Sequence, residues 1–218
     1  MTTPKCVLFD LDGTLVDTAP DLAYAANCVR AEAGRPALPV ALYRPVASAG
    51  ARGLLKVALD LAPDHAEFPA RRERFLEHYR QNIARESCVF PELEPVLRDF
   101  ERRGLRWGVV TNKPAWLTQP LLQALKLSTR AACAIGMVEG LAPKPAPDSL
   151  LRACRELDLS PQDCIYVGDD KRDILAARAA GMPSVGAGWG YLGEDGPIES
   201  WGADTLAQTP AELARLCA

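Results

Sequence analysis

Histidine is scarce in this 218-residue chain, which has only His65 and His78. Imidazole-rich metal centres are therefore excluded, and the cysteines do not replace them. Cys6, Cys28, Cys88, Cys133, Cys154, Cys164 and Cys217 are odd in number, and no two stand at CxxC spacing. Neither a disulfide framework nor a zinc cluster is expected; thiols packed as small apolar side chains in a reducing cytoplasm are. No apolar run approaches the roughly 18 residues that cross a bilayer. The opening Met1-Thr2-Thr3-Pro4-Lys5 lacks the basic start and apolar stretch of a secretion signal, so a cytoplasmic chain with no membrane partner is expected. An excess of positive charge is missing too. Lys plus Arg count 25 against 28 Asp plus Glu, a net charge of −3, which gives no general field for nucleic acid. What is present is an ordinary globular balance, 48% hydrophobic and 24% charged, long enough to bury a core without staples.

The pattern along the chain points to an α/β fold. Lys5 to Phe9 is short, apolar and ended by Asp10, as a buried strand should be. From Pro20 to about Arg85 the texture turns helical, with turn signals at Gly34-Arg35-Pro36 and Pro63-Asp64. Phe75, Leu76, Tyr79 and Ile83 recur at helical spacing there. After Phe90-Pro91, strands and helices alternate. Helices are expected at 92–103, 114–125, 147–157, 171–180 and 210–216, with Gly104 and Gly181 as stops. Strands are expected at 105–110, 132–135, 164–167 and 184–187. Such alternation predicts parallel βαβ units in a Rossmann-like, doubly wound sheet. The expected division is a core of residues 1–16 and 88–218, interrupted by a helical cap over 17–87. A segment inserted after the first strand springs from the edge where such sheets bind ligands.

Four short motifs fall at strand ends. They are Asp10-Leu11-Asp12-Gly13-Thr14, Thr111-Asn112-Lys113, Lys144 between Pro143 and Pro145, and Gly168-Asp169-Asp170 with Asp173 one helical turn later. Taken singly, each has an ordinary reading. The DxD is an Asx-turn, Thr111-Asn112 a turn, Lys144 a surface lysine and Asp169-Asp170 a helix cap. Together on one sheet edge they converge Asp10, Asp12, Asp169 and Asp173, which cannot all ionise without compensation. Lys144 offers one positive charge and a divalent cation two more, and oxygen donors suit Mg²⁺. A phosphate group would complete the set, so the arrangement asks for a phosphorylated ligand.

This combination resembles the haloacid dehalogenase superfamily of phosphotransferases, in particular its phosphoglycolate phosphatase-like members. Phe9 to Asp17 is similar to the first superfamily motif, and Val109 to Pro114, Lys144 to Pro147 and Val167 to Asp173 to the other three. The resemblance implies a Rossmann-like core with a helical cap and a Mg²⁺-dependent phosphomonoester hydrolase. Asp10 would be the nucleophile that forms an aspartyl-phosphate, and Asp12 the general acid–base, its pKa raised by crowded carboxylates. The metal would be held by Asp10, the Asp12 main-chain carbonyl and Asp169. Thr111, Asn112 and Lys144 would bind the phosphoryl group. Thr14 would shape the turn, Asp173 would support the metal waters or orient Lys144, and Asp17 would stabilise the loop entering the cap.

Two substrates fit the resemblance. The general character points to 2-phosphoglycolate. Asp170, Gly50-Ala51-Arg52 and the tail Gly190-Tyr191 with Trp201 to Asp204 look like the bacterial N-acetylmuramic acid 6-phosphate phosphatases, and favour that sugar phosphate slightly. Arg52 is the candidate cap contact, able to hold a carboxylate bidentately or else simply a solvated helix residue. Lys113 either meets substrate or faces water, and both histidines are expected to be exposed. A phosphosugar mutase carries the same acid–base residue and is the alternative activity. A non-catalytic binding module would not need Asp10 and Asp12 together. A small phosphorylated metabolite is thus the expected partner, and the chain is expected to be a monomer or homodimer.

Overall fold

The first strand shows why the sheet forms where it does. Cys6–Phe9 (β1) is buried at every position, so it needs neighbours on both edges and cover on both faces. Its side chains alternate between two apolar layers. Val7 and Phe9 join Leu97, Phe100 and Leu121 on one face, while Cys6 and Leu8 join Leu150, Ala153 and Ala177 on the other. The computed structural model describes residues 3–218.

In chain order the elements are β1, Val16–Asp17 (β2), Ala19–Glu32 (α1), Val40–Tyr43 (α2), Gly50–Leu59 (α3), Phe68–Gln81 (α4) and Cys88–Val89 (β3). There follow Glu94–Arg103 (α5), Arg106–Pro114 (β4), Ala115–Ala124 (α6), Ala134–Met137 (β5), Asp148–Leu157 (α7) and Cys164–Gly168 (β6). Lys171–Ala180 (α8), Ser184–Ala187 (β7), Thr205–Ala207 (β8) and Pro210–Leu216 (α9) complete the chain. Six strands form one parallel sheet in the order β5-β4-β1-β6-β7-β8. β8 was not expected from the sequence, because three residues are too few to show a period.

Register decides what meets at the carboxyl edge. Phe9 lies opposite Val109 of β4 and Val167 of β6, so Asp10 emerges beside the last half of β4 and the end of β6. The antiparallel ribbon of β2 and β3 pairs Asp17 with Cys88, and the chain between them runs through α1 to α4. Those helices pack around their own cluster, which includes Ala26, Val29, Leu55, Phe75 and Tyr79. Among the described residues no helix is long and apolar enough to cross a membrane. Five cysteines are buried, but Cys28 is half-buried and Cys88 is exposed on the ribbon. His65 is exposed, whereas His78 is half-buried and contacts Glu32 Oε1 at 2.8 Å, contrary to the expectation for it.

Candidate active site

Asp10 is the first residue beyond β1, and its N–H is held by the Val167 carbonyl at 2.9 Å. Its side chain is buried against Lys144, whose ammonium donates to Asp10 Oδ1 at 2.8 Å and to Asp173 Oδ1 at 2.6 Å. Tyr166 approaches the same ammonium at 2.7 Å. Lys144 is therefore not the surface lysine that its prolines alone would suggest. Burial works against its charge, but the two carboxylates outweigh that and raise its pKa.

Asn112 fixes this lysine. Its Nδ2 donates to the Lys144 carbonyl at 3.0 Å, and its Oδ1 accepts from the Lys144 N–H at 2.8 Å. The Asn112 side chain is thus engaged with the Lys144 backbone, while the residue lines the cavity. Thr111 is buried, lines the cavity above Asp10 and accepts the Lys113 N–H at 3.2 Å.

Asp169 follows β6 and is fully buried. Thr14 donates its hydroxyl to Oδ1 at 2.6 Å, and the Tyr191 N–H donates to Oδ2 at 2.8 Å. The packing leaves no slack: a Cβ on Gly13, where φ is +90°, would stand 2.4 Å from Asp169 Oδ2. Asp170 caps α8 and forms a two-pronged ion pair with Arg172, at 2.8 and 2.6 Å. Arg172 continues to the Ser48 carbonyl at 3.0 Å, joining this edge to the inserted helices. The Ser48 hydroxyl in turn contacts the Asp12 carbonyl at 3.1 Å and Asp169 Oδ2 at 3.3 Å.

Asp10, Asp169 and Asp173 each offer a carboxylate oxygen, and these oxygens lie within 4.8 Å of one another. Burial, reinforced by Asp10 and then Asp173, pushes Asp169 up to about 8. Burial also pushes Asp173 up to about 7, although Lys144 opposes it. Two of these three buried carboxylates, Asp10 and Asp173, share Lys144, and Asp169 has only neutral donors. The donor set is hard oxygen and short of positive charge, which fits a divalent cation. The expected ligand set takes the main-chain carbonyl of Asp12, and the carboxylate cluster adds Asp173 to Asp10 and Asp169. The Asp12 carbonyl still faces this edge, as its contact with Ser48 shows.

The Asp12 carboxylate lies in different company from that expected. Its direct partners among the described residues are a lysine and a threonine. Lys113 Nζ donates to its two oxygens at 2.9 and 3.1 Å, and Thr18 Oγ1 donates at 2.6 Å. Lys113 does not face water; it is buried, with its ammonium 4.4 Å from the Tyr79 ring centroid. Burial disfavours the Lys113 charge, but Asp12 overcomes this and raises its pKa. Asp17 accepts from Arg44 at 2.8 Å and from the Tyr191 hydroxyl at 2.8 Å. The Thr18 and Ala19 N–H groups donate to that hydroxyl, so one tyrosine organises the entry to α1.

A cavity of about 410 Å³ stands over Asp10 and Asp12. Its far side comes from the inserted helices, with Phe68, Phe75 and Tyr79 as an aromatic wall. Arg52, in the first turn of α3, is exposed and lines the cavity. Arg72 of α4 does the same, and neither arginine forms an ion pair among the described residues. Arg72 and Tyr79 were not singled out from sequence. One belongs to a run of alternating charges, and the other has the spacing of an ordinary core aromatic.

A haloacid dehalogenase-like hydrolase family model matches residues 4–181. Over 217 residues the chain is 45% identical to the phosphoglycolate phosphatase of Xanthomonas campestris pv. campestris (strain 8004), covering 98% of this chain and 96% of that protein. It is 40% identical over 212 residues to the N-acetylmuramic acid 6-phosphate phosphatase of Pseudomonas putida, covering 97% and 95% respectively. The crystal structure of a predicted phosphoglycolate phosphatase from Haemophilus somnus 129PT matches with a TM-score of 0.86 and 29% identity over 100% of both chains.

Proposed function

This chain belongs to the haloacid dehalogenase-like hydrolase family, and on that premise we propose that it is a Mg²⁺-dependent phosphatase of small phosphorylated metabolites. The observation that carries this reading is the placement of Asp10 and Asp12 on one cavity floor, each with its own buried lysine. An Asp10 oxygen attacks phosphorus, the bond to the leaving oxygen breaks, and an aspartyl-phosphate remains. Asp12 gives a proton to the departing alcohol. It then takes one from the water that attacks phosphorus and frees Asp10. Lys144, held by Asn112 and Asp173, faces the nucleophile and offsets the negative charge of an arriving phosphoryl group. Lys113 and Thr18 fix the Asp12 carboxylate. Asp10, the Asp12 carbonyl and Asp169 would hold the Mg²⁺, which supplies further charge neutralisation at the phosphoryl oxygens. Residues 17–87 act as the cap that closes over the substrate and excludes water.

Both candidate substrates carry a phosphate and a carboxylate, and Arg52 and Arg72 are suited to the latter. A volume of about 410 Å³ has room for N-acetylmuramic acid 6-phosphate as well as for 2-phosphoglycolate, and the Asp170, Gly50-Ala51-Arg52 and tail resemblances favour the sugar phosphate slightly. The test is phosphate release from each with Mg²⁺. A sugar-phosphate preference of about 100-fold in kcat/KM, equal to about 2.7 kcal/mol of differential transition-state binding, is expected. The reverse preference would move the enzyme to phosphoglycolate, and no release from either would sink the phosphatase reading.

A further inference from the structure

Three buried side-chain polar atoms lack a hydrogen-bond partner among the described residues: Tyr79 Oη, Arg130 Nη2 and Ser149 Oγ. Only Tyr79 lines the cavity over Asp10 and Asp12. Its side chain is 1% exposed, so water does not replace the missing partner across an open surface. The ring is also restrained. It stacks on Phe75 with an interplanar angle of 3° and a centroid separation of 6.4 Å, and the Lys113 ammonium sits 4.4 Å from its centroid. Burial holds the hydroxyl pKa up to about 12, so at neutral pH the group keeps its proton. A fixed O–H donor without an acceptor among the described residues, on a side of the cavity whose other polar groups, Arg52, Arg72 and Lys113, are cationic donors, is an unfinished hydrogen bond.

We infer that Tyr79 is a specificity-determining residue whose hydroxyl donates to a hydroxyl, ether or amide oxygen on the leaving group of the substrate. The selected class is then polyhydroxylated phosphate esters, not the phosphate of a bare two-carbon acid. This rests on the phosphatase reading for the identity of the site, but its own support is the unpaired hydroxyl. Arg52 and Arg72 do not make this choice, since both candidate substrates present a carboxylate. A site built to hydrogen-bond a substrate group discriminates strongly against an analogue that lacks it, because the buried donor is then left unpaired.

The test is Tyr79→Phe, which removes one oxygen and keeps the ring that Phe75 and Lys113 contact. Values of kcat/KM for N-acetylmuramic acid 6-phosphate and 2-phosphoglycolate are compared in wild type and variant. The sugar phosphate should lose at least about tenfold more than 2-phosphoglycolate, mainly through KM. Equal losses on both substrates would overturn the inference. Binding separates this failure from that of the phosphatase reading. Calorimetry with Asp10→Asn and with the Asp10→Asn, Tyr79→Phe double variant reads sugar-phosphate affinity without turnover. Weaker binding in the double variant supports the Tyr79 contact even if the wild type releases no phosphate; equal affinities refute it.

Discussion

The floor and the roof of the cavity are built on opposite terms. On the floor, Asp10 and Asp173 share Lys144, Asp12 has Lys113 and Thr18, and Asp169 has Thr14 and a backbone N–H. In the roof, Arg52 and Arg72 are exposed without ion pairs among the described residues, and the Tyr79 hydroxyl has no acceptor. A floor arranged before substrate arrives reorganises little during reaction. A roof with unused donors is completed by the substrate itself. Chemistry and selectivity are therefore separable here, and substitutions on the two sides should fail differently.

The sharpest way to break that division is Asp10→Asn. Turnover should fall at least about 10⁴-fold, because the nucleophile is lost and a contact on the roof cannot substitute for it. Steady-state phosphate release checks this, and retained turnover in a clean preparation would end the aspartyl-phosphate proposal.

Metal binding sharpens the floor side. Asp169 lies raised to about 8, so below that pH its native carboxyl holds a proton that a divalent cation must displace. Mg²⁺ affinity should rise about tenfold per pH unit up to about pH 8 and then level, as read by titration calorimetry. The stability sign follows from the same shift. Between the ordinary aspartate value and about 8, the native state binds more protons than the unfolded one. The stability of the metal-free protein is then highest at the acid end of this window, lost as pH rises, and unchanged by this group above about 8. A flat affinity profile would contradict the crowding of Asp10, Asp169 and Asp173.

The roof gives the smallest effect. Arg72→Ala should raise KM about tenfold while kcat changes little, since the interaction is made equally in ground and transition states. A fall in kcat with KM unchanged would instead place Arg72 with the floor, and Michaelis curves for one substrate decide between them.

The same division governs what could be read from sequence. Asp10 and Asp169 follow β1 and β6, Thr111 lies in the last half of β4 and Lys144 stands between prolines, and β1, β4 and β6 are sheet neighbours, so local patterns suffice to bring these residues to one edge. Partner choice was less legible. Lys113 could have faced either way, because β4 runs on to Pro114 and the sequence does not reveal that Asp12 waits across the turn. The bond from Asn112 to the Lys144 backbone spans 32 residues and has no local sequence signal. The roof was least legible. Tyr79 has the same spacing as a core residue, and only three-dimensional packing shows that its hydroxyl is buried without a partner among the described residues. The tail hid a similar role: Tyr191 touches both the Asp17 entry and Asp169, at separations of more than 20 residues.

The position of β1 also bears on how the protein is made. β1 is a central strand, yet its sheet neighbours begin far later in the chain, at Arg106 and Cys164. At about 5–20 residues per second, several seconds pass before the first of them is synthesised. The helices of residues 19–81 make local contacts and can associate during that interval. On the nascent chain β1 is thus an apolar strand with no sheet partner, and it is the segment in need of protection from aggregation until β4 arrives.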